Sequence, residues 1–219
     1  GDGSSVTLGN QTAVTSGATH CTACSAGTID GDGHPYTICT ACPKGKIQAS
    51  SGKTSCIDCA AGTDTLNLPG QTSCYWCALG KYATNQGTGQ CSSCGTGKVV
   101  TKDSSNSNTV TTSGGKWCVP CVAGTYDHDS SSSNSSSTSC QSCPKGKIQA
   151  SPGQTSCSDC SAGTDTLDMT GRTSCTACGQ GKYATSAGTA SCSPCGNGSS
   201  ATLGSTSHNA VSSGAKYCV

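Results

Sequence analysis

The sequence predicts a small, disulfide-rich β fold: a linear array of short hairpin or loop units forming an elongated rod, with no large hydrophobic core. Three observations predict it. The 219 residues contain 21 Cys and 30 Gly but no Phe, and apolar residues reach only 32% with Cys included. Ordinary globular domains carry roughly 45–50% by a count that also includes Gly, so apolar burial cannot by itself offset the entropy of ordering this chain. Cysteine at this density marks a disulfide scaffold. The third observation is internal repetition, which identifies architectures built from one small unit used many times.

The unit is C-x-x-C-x-x-G. Ten C-x-x-C pairs occur, at 21/24, 39/42, 56/59, 74/77, 91/94, 118/121, 140/143, 157/160, 175/178 and 192/195. Each is followed at one fixed offset by a glycine: Gly27, Gly45, Gly62, Gly80, Gly97, Gly124, Gly146, Gly163, Gly181 and Gly198. A glycine at a constant offset predicts positive φ, where a Cβ would cost energy. Most units close with SGKTSC, PGQTSC, TGRTSC or AGTASC, turn chemistry that brackets a short strand.

A longer period lies above this one. PKGKIQAS at 43–50 returns at 144–151, TSCIDCAAGTDTL at 54–66 returns as TSCSDCSAGTDTL at 155–167, and GKYAT at 80–84 returns at 181–185. Five units therefore make a super-repeat. The organisation expected is residues 1–94 as super-repeat 1, truncated at its start, 95–195 as super-repeat 2, and 196–219 as the opening of a third. Three longer loops echo one another, beginning at Gly1, Gly95 and Gly196. The last two directly follow Cys94 and Cys195. The reading is a window on a longer repetitive polypeptide, contacting copies of itself or its own continuation end to end.

Disulfides and zinc compete for these cysteines. Two C-x-x-C pairs about 15–20 residues apart also fit a zinc ribbon. The neutral Ser/Thr-rich composition, the scarcity of Lys and Arg and the presence of sequons favour disulfides, leaving a zinc-binding C-x-x-C array as the remote alternative. Redox catalysis needs a C-x-x-C at a helix start in a βαβ setting, which ten loop pairs do not offer. One connectivity joins the second Cys of a pair to the first of the next: Cys24–Cys39, Cys42–Cys56, Cys59–Cys74, Cys77–Cys91, Cys94–Cys118, Cys121–Cys140, Cys143–Cys157, Cys160–Cys175, Cys178–Cys192 and Cys195–Cys218. Each bond closing such a loop is worth about 3 kcal/mol in the chain-entropy picture. Cys21 is then left over. The rival connectivity crosses two pairs, as in 21–39 with 24–42, and strands Cys218; both stay open at this level.

The unit resembles the ephrin-receptor-like and tumour-necrosis-factor-receptor-like cysteine-rich repeats. Runs such as CPKGKIQASSGKTSCIDC and CVAGTYDHDSSSSNSSSTSC are similar to the repetitive surface (immobilization) antigens of ciliates and related protists. The resemblance implies an elongated ectodomain held at the cell surface or in an extracellular assembly. A filament subunit, like the cysteine-rich flagellar-hair proteins of algae and protists, fits the same pattern.

Other features assign a class by what they offer. Net charge is +1 with 11% charged residues, so there is no electrostatic footprint for nucleic acid. No stretch approaches the roughly 20 apolar residues of a bilayer-spanning helix. Asn10, Asn134 and Asn197 sit in N-x-[ST] sequons and are candidate glycan acceptors. Asp58, Asp159, Asp64 and Asp165 recur between super-repeats and read as turn caps, since two carboxylates six residues apart fall short of a calcium site. His20, His34, His128 and His208 share no repeat position, so no catalytic set is expected. Tyr82, Tyr183, Trp76 and Trp117 are expected to cover disulfides, or otherwise to stack on sugar or a neighbouring chain.

The expected protein is an extracellular structural or surface protein: coat antigen, spacer or filament segment. It is not an enzyme, and it has no metal or cofactor. A ligand-binding receptor ectodomain is the alternative.

Overall fold

A computed structural model of the chain describes residues 4–7, 20–34, 37–104, 110–128, 139–206 and 209–219. No helix occurs among them; all regular structure is β. Among the described residues, eleven two-stranded sheets follow one another. The first pairs β1 (Ser4–Thr7) with β2 (His20–Ala23), and next come β3 (Thr28–Ile29) with β4 (Thr40–Ala41) and β5 (Lys46–Ile47) with β6 (Ile57–Asp58). Then β7 (Thr63–Asp64) pairs β8 (Tyr75–Trp76), β9 (Lys81–Tyr82) pairs β10 (Ser92–Ser93), and β11 (Lys98–Thr101) pairs β12 (Trp117–Pro120). The series continues as β13 (Thr125–Tyr126) with β14 (Gln141–Ser142), β15 (Lys147–Ile148) with β16 (Ser158–Asp159) and β17 (Thr164–Asp165) with β18 (Thr176–Ala177). It ends with β19 (Lys182–Tyr183) beside β20 (Ser193–Pro194) and β21 (Ala201–Thr202) beside β22 (Tyr217–Cys218).

The local rule behind this pattern is short. The residue after a C-x-x-C opens a β-turn whose third position is the fixed glycine, and the turn closes with bonds such as Lys46 N–H to Pro43 O at 3.0 Å and Thr63 N–H to Ala60 O at 3.1 Å. All ten of these glycines have positive φ, from 69° at Gly181 to 87° at Gly62. That is the conformation a type II turn requires at this position. The two residues after the glycine form one strand. In most units the two residues between the next paired cysteines form its partner, as in Lys46↔Asp58 and Ile47↔Ile57.

Two-residue strands cannot stand alone in water. Every hairpin after β1–β2 is closed by a disulfide, and backbone bonds join successive units. The turn glycine's carbonyl accepts the amide of the following unit's second Cys, for example Cys59 N–H to Gly45 O and Cys160 N–H to Gly146 O, both at 2.9 Å. A second glycine, in the closing cluster, donates to the carbonyl of the preceding unit's buried Cys: Gly70 to Cys42, Gly87 to Cys59 and Gly188 to Cys160, all at 2.8 Å. Backbones two units apart come closer still. A Cβ added at Gly45 would fall on Gly87 O, and one at Gly146 on Gly188 O. At Gly27, Gly45, Gly62, Gly97, Gly124, Gly146 and Gly163 the turn glycine is therefore required by stacking as well as by turn geometry.

The chain divides into two compact units, the first drawn from residues 1–94, 100–104 and 111–118, the second from 95–99, 105–110 and 119–219. Neither has a conventional core. Twelve of the nineteen buried hydrophobic residues among the described residues are cysteines, so sulfur replaces the missing aliphatic interior. Beside residues such as Val99, Val119, Thr101 and Thr202, one side chain recurs in the interior of each unit, three residues after the turn glycine. It reads Asp30, Gln48, Thr65, Ala83 and Val100, then Asp127, Gln149, Thr166, Ala184 and Ala201; all are buried except the half-buried Gln149.

Candidate functional site

Ten disulfides join Cys24–Cys39, Cys42–Cys56, Cys59–Cys74, Cys77–Cys91, Cys94–Cys118, Cys121–Cys140, Cys143–Cys157, Cys160–Cys175, Cys178–Cys192 and Cys195–Cys218, with Cα separations of 5.5–5.8 Å. The crossed arrangement, 21–39 with 24–42, is not the one present. Cys21 on β2 is exposed and the one free thiol among the described residues. It lies opposite Val6, and the disulfide-bonded Cys218 lies in the same way opposite Ala201.

The polar members of the buried column bind units together. Thr65 Oγ1 accepts the Gly45 N–H at 2.8 Å and donates to Gly89 O at 3.3 Å. Thr166 repeats this with Gly146 and Ala190 at the same distances. Asp127 Oδ2 accepts the Gly97 N–H at 2.9 Å. Asp64 and Asp165 do more than cap turns. Asp64 Oδ1 takes the Leu66 N–H at 3.1 Å, as expected of a cap, while its Oδ2 takes the Cys91 N–H at 2.7 Å from 27 residues away. Asp165 does the same to Leu167 and Cys192. These contacts hold Leu66 and Asn67, and likewise Leu167 and Asp168, at positive φ of 54–60°. Asp58 and Asp159 stay on the surface and pair with Lys46 and Lys147 at 2.7 and 2.8 Å.

The aromatic residues depart from expectation. Small side chains cover the disulfides: Ala83 packs on Cys77 and Cys91, Ala184 on Cys178 and Cys192, and Val99 and Val119 on Cys121 and Cys140. Trp76 instead stands 69% exposed, its ring propped against Gly114, and Trp117 is 38% exposed. Tyr82 and Tyr183 are half-buried. With units this close together, there is no room for an indole between them. Ile57 on β6 and Tyr75 and Trp76 on β8 are exposed, where the second super-repeat carries Ser158, Thr176 and Ala177.

Asn197 lies exposed in the turn before Gly198, an accessible position for a glycan acceptor; Asn10 and Asn134 fall outside the described residues, as does His208. His34 and His128 lie in separate loops, and His20 is on β2. Among the described residues, no three His, Cys, Asp or Glu side chains converge in a metal-holding group. No helix among them is long and apolar enough to cross a membrane.

Residues 109–160 match the family model described as tyrosine-protein kinase ephrin type A/B receptor-like. No curated protein matches the chain at a significant level. The fold, the disulfides and this match define a cysteine-rich repeat protein of tandem disulfide-closed hairpins. Ten disulfides imply an oxidising, extracellular setting.

Proposed function

We propose that this chain is a structural segment of an extracellular surface, a coat, spacer or filament element, and not an enzyme. The observation that carries this reading is how the described repeats use their polar groups: on one another. Turn glycine, buried Cys and closing glycine exchange backbone bonds from unit to unit with the same partners and nearly the same distances. Repeats joined in this way can be added without redesign, because each interface is reused. The same reuse supports contact with copies of the chain or with further repeats of its own polypeptide. Glycan on the exposed Asn197 suits such a surface.

A receptor ectodomain is the second reading, favoured by the exposed Ile57, Tyr75 and Trp76, which the scaffold does not need because the second super-repeat lacks them. A segment exchange separates the two: residues 42–91 replaced by residues 143–192, which removes those side chains and keeps the repeat pattern. A structural segment keeps its surface display and function after the exchange. Loss of function with display and disulfides intact would establish the receptor reading in its place.

A further inference from the structure

Between Cys24 and Cys218 the ten disulfides lie in series: none encloses or crosses another, and only the two inner residues of a C-x-x-C separate each from the next. The polypeptide therefore offers two covalent routes through every unit. The long route runs round a loop whose ends are 14 to 24 residues apart in sequence, and the short one crosses a bridge between Cα atoms 5.5–5.8 Å apart. Tension along the chain takes the short route, because the bridge is taut long before the loop is. The two kinds of segment are built to different rules. All nine links between successive disulfides have the same length, while the loops vary by up to ten residues. The exposed Asn197 acceptor also sits inside a loop, the one closed by Cys195 and Cys218. What the repeats hold constant is the route under tension; what they vary is what that route bypasses. Across the links, units are joined by backbone hydrogen bonds such as Cys59 N–H to Gly45 O at 2.9 Å and Gly87 N–H to Cys59 O at 2.8 Å. These bonds exchange readily with water and yield to force before a sulfur–sulfur bond does.

We propose that the disulfide series is a tension-bearing path and that the chain works as a length-limited tether. Pulling peels units from one another but cannot draw out their loops. Peeled units keep their closed loops, so the same contacts form again when the pull is released. A peptide step spans at most about 3.3–3.6 Å, so the taut path from Cys24 to Cys218 is about 150 Å through the disulfides and about 650–700 Å without them. The proposal deepens the structural reading above and rests on it only for where such a tether would be used.

The test is single-molecule stretching of the full disulfide-bonded chain, with handles fused to both ends and the exposed Cys21 alkylated so that it cannot exchange with a bridge. Without reductant, extension should stop at about 230 Å end to end and recover over repeated cycles. Dithiothreitol should then free the loops one at a time, in steps of about 40–80 Å. The double change Cys42→Ser with Cys56→Ser should raise the unreduced limit by about 40 Å. Extension past the limit before any reductant is added overturns the proposal. So does an unchanged limit in the double variant, or a chain that fails to recover its starting length. The segment exchange described above preserves the sequence separations of 14, 15 and 14 residues, so it leaves the stretching limit unchanged whichever functional reading holds. Failure of the tether is thereby told apart from failure of the structural reading.

Discussion

Asp64 and Cys91 stand 27 residues apart in the chain and are joined by a buried 2.7 Å hydrogen bond from the Cys91 amide to Asp64 Oδ2. Asp165 and Cys192 repeat it at the same distance. The bond crosses from one unit to the next and ends at a cysteine of the Cys77–Cys91 disulfide, so one carboxylate couples turn geometry, stacking and cross-link.

Replacing Asp64 with Ala leaves the Cys91 and Leu66 amides without their acceptor. Hydrogen bonds to charged groups contribute about 1.5–3 kcal/mol each, so D64A should destabilise its unit by about 2–3 kcal/mol. D165A should match it. Urea unfolding with disulfides intact measures the loss, and the Cys91 amide should lose its hydrogen-exchange protection.

The turn glycines separate strain from stacking. Gly198 has positive φ, but nothing lies within 4 Å of where a Cβ would stand, whereas a Cβ on its counterpart Gly97 would strike Gly153 O. G198A should cost only the left-handed penalty of about 1–2 kcal/mol, and G97A distinctly more, with loss of secreted yield. Equal costs would show that backbone conformation alone selects these glycines.

The fold's outline was legible in the sequence because it is written locally. The C-x-x-C spacing places one strand between paired cysteines, and the fixed offset of Gly45 and its equivalents gives the turn. What escaped depends on neighbouring units. Gly70 and Gly87 looked like ordinary turn residues; their closer role, receiving the turn glycines of Gly27 and Gly45 two units away, appears only when units stack. The buried column escaped for the same reason. Asp30, Gln48, Thr65 and Ala83 share no chemistry, only an offset of three from the turn glycine. The exposure of Trp76 ran against the expectation that large rings seal gaps. Here the gaps are methyl-sized and Ala83 fills one of them.

Asp32 gives the pH dependence its sign. Its folded-state pKa is lowered, first by the His34 N–H and then by the Thr37 hydroxyl. A depressed carboxyl contributes stability above its unfolded value, about 3.9, and loses it as pH falls through the lower folded value. The loop of residues 30–37 should therefore keep its amide shifts through pH 4 (approximately the ordinary carboxyl range) and change only in stronger acid. Loss of the loop shifts at or above that ordinary range would contradict the hydrogen bonds to Asp32.

The central claim, a chain of hairpins closed in series by disulfides, is tested most directly by peptide mass mapping of the secreted protein without reduction, after alkylation. The account predicts ten cross-linked peptide pairs, Cys24–Cys39 through Cys195–Cys218, with Cys21 the cysteine open to alkylation if no second thiol has joined it. Crossed pairs such as 21–39 with 24–42, or free thiols throughout with stoichiometric zinc, would contradict it.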